Sequence, residues 1–422
     1  MYLIEPALNT MLRKKMSSVL AFDDPAGHPV PQHTANDLNE YLLYIHIPFC
    51  ATLCPYCSFH RYEYEVSTCR NYFQALQQEL RMYQQAGYDF AAVYVGGGTP
   101  TIEMELLLDT LALARDLFSI KEISVETNPD RLVPAELERL KAAGVNRLSV
   151  GIQSFDDSIL KQIGRYEKYG SGRAIQEKLQ QARGLFDTLN LDLIFNMPVQ
   201  SEASLMADLD IIDRLLPDQV TFYPLMTAAS VAATLQKSLG AIDYKKEKNF
   251  YFLILNRMKK NYTGSTAWCF SRKRAMIDEY IIHYDSYVGA GSGAFGYFND
   301  RIYINTFSLD EYMDKIKRGT FPVGHVKQFS ATEKKHYVLL MKLFGLSFDP
   351  AALKRPEDKE LPRRLWLEFL LLKLSGSIHT HSGRFELTDR GKYYWVMAMR
   401  EFFIAVDTMR DYCRTMIDHQ SS

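Results

Sequence analysis

From residue 41 onward, short apolar runs alternate with longer stretches whose apolar residues recur at helical spacing. The run 41–47, rich in Leu, Tyr and Ile, predicts a strand, and the spacing over 68–85 predicts a helix. The same alternation predicts strands at 91–95, 123–126, 147–151, 191–195 and 219–225. It predicts helices at 104–117, 134–143, 156–163, 173–187 and 204–216. Strands alternating with helices imply a parallel sheet with right-handed crossovers. Curled up, this α/β arrangement is an open (β/α)6 partial TIM-type barrel, which carries its reactive residues at the C-terminal ends of its strands.

After residue 226 the pattern changes. A helix is predicted over 245–258, and the Tyr-, Gly- and Asp-rich stretch 280–307 reads as strands and turns. From 330 helices dominate, broken by a hairpin over 377–387 that turns at Ser382-Gly383, and a long helix follows from 389 to about 416. Helices, a hairpin and a final helix make a mostly helical, winged-helix-like module. The expected organisation is a leader over 1–40 with turn signals such as Asp23-Asp24-Pro25, a barrel over 41–228, a barrel-covering extension over 229–328, and the helical module over 329–422.

Composition narrows the partners. The 49 basic residues nearly cancel the 50 acidic ones, so no broad positive field is available for nucleic acid. No apolar run reaches the ~18 residues that span a bilayer. Arg13, Lys14 and Lys15 are followed by only a short apolar piece, 19–22, too weak for a secretory signal. The expected location is the cytoplasm. Aromatic residues make up 13% of the chain, which suits a large core, or a cavity for a flat ligand.

Three of the six cysteines lie within eight residues, at Cys50, Cys54 and Cys57. A disulfide framework would spread them along the chain. Their spacing, Cys-x3-Cys-x2-Cys in the loop after the first strand, lets three thiolates take three corners of a [4Fe–4S] cube. The fourth iron is then open to a small molecule. Structural zinc is the weaker reading, because it wants four ligands, and His46 and His60 are poorly set to complete them. Cys69 reads as a buried helix thiol, and Cys269 and Cys413 have no evident partner.

On these residues the chain resembles the radical S-adenosylmethionine superfamily. More narrowly, it is similar to the oxygen-independent coproporphyrinogen III oxidase family, which includes haem chaperones and some methyltransferases. Five ordered motifs carry the resemblance. They are Tyr44-Ile45-His46-Ile47-Pro48-Phe49-Cys50, Gly96-Gly97-Gly98-Thr99-Pro100-Thr101, Glu126-Thr127-Asn128-Pro129, 147–155 (Arg147-Leu148-Ser149 to Ser154-Phe155), and Asp192-Leu193-Ile194-Phe195-Asn196-Met197-Pro198. The resemblance implies binding of S-adenosyl-L-methionine over the open iron and its reductive cleavage to a 5′-deoxyadenosyl radical. It assigns cofactor contacts to Tyr44, Tyr56, Gly97, Gly98, Thr99, Glu126, Gln153, Arg165 and Asp192. The chemistry of each suits the task. Gly97 and Gly98 admit a close ligand, and Thr99 offers a hydroxyl. Glu126, Gln153 and Asp192 can bond an amine or ribose. Arg165 can fork onto the ligand carboxylate, and Tyr44 and Tyr56 pack at the cluster and adenine. The implied partners are a tetrapyrrole or other small-molecule substrate and an electron donor such as flavodoxin or ferredoxin.

Two departures from the family pattern bear on the reaction. The decarboxylating enzyme has a further Cys two positions beyond the third cluster Cys, where this chain has Phe59. The haem chaperones have a His soon after a Cys beyond the barrel, where this chain reads Trp268-Cys269-Phe270-Ser271. The readings left open are an enzyme acting on a tetrapyrrole in haem metabolism, a haem-binding chaperone, and a radical methyltransferase. Haem is a further cofactor on the second reading, with His283, His379 and His381 as candidate ligands. The Gly-rich stretch 285–296 is a candidate hold for substrate or a second S-adenosylmethionine, or a structural turn.

Overall fold

The computed structural model describes residues 11–13, 22, 41–273, 282, 284–353 and 356–420, so most of the 1–40 leader and His283 lie outside the described residues. The chain enters the sheet at β1 (Leu42–Ile47). A short parallel pair, β2 (Phe49–Cys50) and β3 (Tyr62–Glu63), brackets the cysteine loop. The barrel strands follow: β4 (Ala92–Gly97), β5 (Glu122–Thr127), β6 (Arg147–Gln153), β7 (Thr188–Phe195) and β8 (Gln219–Pro224). All pair in parallel with their sequence neighbours, in the order β1-β4-β5-β6-β7-β8. The structure is thus the partial barrel that the alternation predicts.

The sheet is wider than six strands. Beyond β8 it gains β9 (Thr263–Gly264) and β10 (Cys269–Ser271), both antiparallel. Beyond β1 it gains β11 (Tyr287–Ala290), parallel to β1, then β12 (Phe295–Phe298), β13 (Arg301–Asn305) and β14 (Val323–Gln328), all antiparallel. Among the described residues, twelve strands form one sheet.

The central strands read as apolar runs because both of their faces are covered. In β1 five of six residues are buried, and the helix Val66–Gln85 lays Tyr72, Phe73, Leu76 and Leu80 against the sheet. Glu65 caps that helix, accepting from the Ser67 and Thr68 N–H groups at 3.0 and 2.7 Å. One expected boundary moves. The helix predicted over 173–187 spans Gly172–Ala182, since Gly184 turns the chain at φ 76° and β7 begins at Thr188, three residues before its apolar run. The polar start of β7 is buried among partners: Asn190 donates to Ser149 Oγ at 2.8 Å and accepts from Thr221 at 3.1 Å.

The C-terminal part is mostly helical. The helix Ala331–Phe344 opens on a Ser330–Glu333 capping box. The strands β15 (Ser347–Phe348), β16 (Ile378–His381) and β17 (Arg384–Leu387) form a three-stranded sheet, and Ser382 and Gly383 turn the hairpin with positive φ. The final helix, Asp389–Gln420, packs Phe403 near Trp268, whose ring lies 4.7 Å from that of Phe344. Its Arg400 is fully buried and pairs with Glu247 on the helix Tyr244–Met258. Among the described residues no helix is long and apolar enough to cross a membrane.

Candidate functional site

Parallel pairing brings the C-terminal ends of the barrel strands to one rim, where Ile47 lies in register with Gly97, and Phe195 with Pro224. Within otherwise buried strands, Tyr44, Gly97, Glu126, Gly151, Gln153, Asp192 and Tyr223 keep partial exposure. By register, Tyr44, Glu126, Gly151, Asp192 and Tyr223 share one face of the sheet.

The cysteine loop hangs over that rim. It is pinned at its base, where Tyr64 N–H donates to the Cys50 carbonyl at 2.9 Å. Arg61 pins it from within, donating to the carbonyls of Cys54 and Cys57 at 2.7 and 2.5 Å. All three thiols are partly exposed. Tyr56, Ile159, Ile163, Met197 and Leu225 form an apolar collar against Cys54 and Cys57. Burial pushes the Cys50 thiol up to about 11. Unmetallated, such a thiol holds its proton, and loading iron releases it. Among the described residues no three His, Cys, Asp or Glu side chains form a ready cage for a single ion. The Cys-x3-Cys-x2-Cys spacing on one pinned loop suits three corners of an iron–sulfur cube.

The glycine turn fits beneath this loop with no room for a side chain. Gly97 has φ 121°, and a Cβ there would sit 2.8 Å from the Ile47 carbonyl oxygen. A Cβ on Gly98 would sit 2.6 Å from the Phe49 carbonyl oxygen and 3.0 Å from Cys50 Sγ. The Thr99 hydroxyl lies 3.7 Å from Cys50 Sγ and accepts from Asn128 Nδ2 at 3.0 Å. Glu126 accepts from the Tyr94 hydroxyl at 2.8 Å and from the Gly97 N–H at 3.1 Å.

Gln153 ends β6 with φ 72°, an uncommon backbone for a non-glycine residue, and the β6–β7 register shifts beside it. The bulge turns its side chain toward Gly151, where Asn128 and Arg165 also converge. Arg165 is buried, donating to Gly151 O at 2.5 Å, Asn128 Oδ1 at 3.0 Å and the Tyr56 hydroxyl at 3.3 Å. Its guanidinium stacks 4.3 Å over the Tyr169 ring, and its Nε has no hydrogen-bond partner. Asp192 lies deeper, accepting from Ser149 at 2.7 Å and Asn190 at 2.7 Å. Tyr44 donates to His46 Nδ1 at 2.8 Å, because His46 Nε2 must donate to the His60 carbonyl at 2.9 Å. Burial pushes His46 down to about 4, so that ring is neutral.

Sequence reasoning missed several residues here. Asn128 links Thr99 to Arg165, and its placement between a strand end and Pro129 was its only signal. Lys168 Nζ lies 3.6 Å from Cys54 Sγ, and Arg61 holds the loop carbonyls, both with no signal beyond charge. The Gly-rich stretch packs inward: Gly291 N–H donates to Glu79 at 2.8 Å and Ser292 N–H to the Tyr72 hydroxyl at 3.0 Å. Cys269 is fully buried in the sheet, opposite Thr221. His379 and His381 are exposed on the hairpin.

Comparison with known proteins gives this geometry its relatives. Residues 44–212 match the family described as the Radical SAM superfamily. The heme chaperone HemW of Bacillus subtilis is 29% identical over 368 residues, spanning 83% of this chain and 95% of that protein. An anaerobic coproporphyrinogen III oxidase of Cereibacter sphaeroides is 33% identical over 189 residues, 43% of this chain and 41% of that protein. Among solved structures, the Escherichia coli coproporphyrinogen III oxidase HemN superposes with a TM-score of 0.71 at 20% identity, covering 86% of this chain and 90% of that one. That likeness carries the partial barrel and the helical C-terminal domain.

Proposed function

Because the chain belongs to the radical S-adenosylmethionine superfamily, within its coproporphyrinogen III oxidase and haem chaperone-like family, we propose that it is an enzyme that cleaves S-adenosylmethionine at a [4Fe–4S] cluster and acts on a tetrapyrrole. The observation that carries this reading is the convergence of the three-thiol loop with Gly97, Gly98, Glu126, Asn128, Gln153 and Arg165 on one barrel rim.

When bound, the cluster and S-adenosylmethionine supply one-electron cleavage and hydrogen-atom abstraction. The chain supplies the setting. Cys50, Cys54 and Cys57 would hold the cluster, and the collar around Tyr56 and Met197 packs against Cys54 and Cys57. Gly97 and Gly98 let the turn pack directly under the cysteine loop, beside which the methionyl group would lie. Glu126 and Thr99 offer an anion and a hydroxyl to an ammonium, and Arg165, with its unpaired Nε, offers a cation to a carboxylate. Gln153 and Asp192, on adjacent strands, suit ribose hydroxyls.

The position of Phe59, which is 49% exposed beside the cluster loop, removes the extra thiol of the decarboxylating pattern. The product is therefore the open variable. Anaerobic turnover with coproporphyrinogen III and, separately, with haem tests the reading by mass spectrometry. A decarboxylated or methylated tetrapyrrole formed together with 5′-deoxyadenosine or S-adenosylhomocysteine supports it, and an unchanged tetrapyrrole in both reactions contradicts it.

A second reading is favoured by the 95% coverage of the Bacillus subtilis heme chaperone. On it the chain binds haem without converting it. Stoichiometric haem binding in visible spectra, with no product, would select it. Cys269 is buried in the sheet and His379 and His381 stand on the distant hairpin, so an axial ligand would have to come from elsewhere.

A further inference from the structure

The last part of the final helix reaches back to the barrel mouth and delivers a buried cation there. Arg410 is 9% exposed. Its guanidinium lies 5.4 Å from the Phe59 ring centroid, just past the third cluster cysteine, and 5.2 Å from that of Phe295, at the start of β12. Its charge is felt at Tyr44 and His46, the inward-facing residues of β1. One edge of the guanidinium is taken: Nη1 donates to Asp407 one turn earlier, at 2.6 Å. Nε is buried with no hydrogen-bond partner.

A guanidinium has five donors in a planar fork, and burying it with one edge unused is costly unless a ligand completes it. The other guanidiniums of the mouth, Arg61 and Arg165, also keep an unpaired buried Nε, but both are tied to backbone carbonyls. Arg61 donates to the loop carbonyls, and Arg165 to Gly151, Asn128 and Tyr56. The Phe59 and Phe295 rings both lie against the guanidinium and give it an apolar, planar surround. Planar apolar walls and a forked cation match a carboxylate carried on a conjugated ring system.

We propose that Arg410, carried into the barrel mouth by the final helix, is the receptor for a carboxylate of the substrate, with Phe59 and Phe295 flanking the ring that bears it. The inference rests on the tetrapyrrole reading and names the residue that would recognise the acid side chains of such a ring. Asp407 is the internal occupant that a substrate carboxylate joins. Burial pushes the Asp407 carboxyl up to about 6, against the pull of Arg410, so near neutral pH it is mostly ionised and keeps its hold on Nη1, leaving the rest of the guanidinium for a second carboxylate.

Binding of coproporphyrin III and of its tetramethyl ester to the cluster-reconstituted chain, followed by fluorescence, is the test. The parent is expected to prefer the free acid by about tenfold or more, the value of one charge-assisted hydrogen bond. Arg410→Gln is expected to abolish that preference and leave ester binding in place, and Arg410→Lys to retain part of it. Iron content and circular dichroism of each variant confirm folding, and the Lys variant keeps the test open if the Gln variant does not fold. An acid preference that survives in Arg410→Gln overturns this inference alone. A parent that binds neither porphyrin overturns the tetrapyrrole reading and this inference with it.

Discussion

Glu126 closes on Gly97: its Oε2 accepts from the Gly97 N–H at 3.1 Å, while Oε1 accepts from the Tyr94 hydroxyl at 2.8 Å. The carboxylate thereby stands over the glycine turn with its charge held at the rim, ready for a cationic partner. Glu126→Gln keeps the shape and removes the charge. S-adenosylmethionine binding is expected to weaken about tenfold, as for removal of one charge-assisted hydrogen bond, with iron content unchanged. Equilibrium dialysis against the reconstituted protein measures it, and unaltered affinity would remove Glu126 from the site.

Gly98 tests the fit between the turn and the loop. A Cβ there meets the backbone carbonyl of Phe49 at 2.6 Å, and that oxygen already accepts from the Thr99 N–H at 2.8 Å. The strand end cannot yield without breaking this bond. Gly98→Ala should lower stability by roughly 1–3 kcal/mol, the usual cost of overpacking. It should also reduce iron bound per chain, because Cys50 Sγ is the next atom in the path. Thermal unfolding and iron and sulfide assays read both effects.

Arg165 binds three protein oxygens and stacks on Tyr169, so removing it disturbs the rim without touching the thiols. Arg165→Ala is expected to slow S-adenosylmethionine cleavage by about tenfold or more at full cluster content. Arg165→Lys cannot reproduce the fork and should recover only part of the rate. A cluster lost in parallel with the rate would instead mark Arg165 as a support of the loop.

The Gly-rich turn beside β1 is held by a buried carboxyl with a pH signature. Burial pushes Glu79 up to about 7, although Tyr312, Gly291 and Asn305 all donate to it. A carboxyl raised in the folded state contributes stability that is full below its unfolded pKa, about 4.5, and is lost as pH rises through about 7. Between pH 5 and 8 the parent should therefore lose roughly 1–3 kcal/mol relative to Glu79→Gln. Urea midpoints of the two proteins at both pH values give the comparison, and parallel curves would show that Glu79 stays ionised throughout.

The parts of this molecule that are legible in the sequence are those whose physics is local. The six central strands are largely buried and their cores read as short apolar runs, and the cysteine spacing and the Gly96-Gly97-Gly98 triplet announce themselves without neighbours. The edge strands β9 to β14 are short and mix Gly, Tyr and polar residues, so their place in the sheet depends on pairing across long stretches of chain. Thr188 and Asn190 look like a helix end because the partners of their polar groups, such as Ser149 on β6 and Thr221 on β8 for Asn190, are brought close only by the sheet. Asn128 lies within a motif whose spacing does not show its contacts, and Arg410 carries no motif; each gains its role from partners that the fold alone brings close.

The central claim is that the three-thiol loop and the barrel rim together cleave S-adenosylmethionine. The direct measurement is 5′-deoxyadenosine formed after anaerobic reconstitution with iron and sulfide and reduction with dithionite, in the parent and in Cys50→Ala, Cys54→Ala and Cys57→Ala. The account predicts 5′-deoxyadenosine from the parent and none from the three variants. A parent that assembles a full cluster yet forms none, with coproporphyrinogen III and haem both supplied, would contradict it and leave haem or metal handling as the function of this fold.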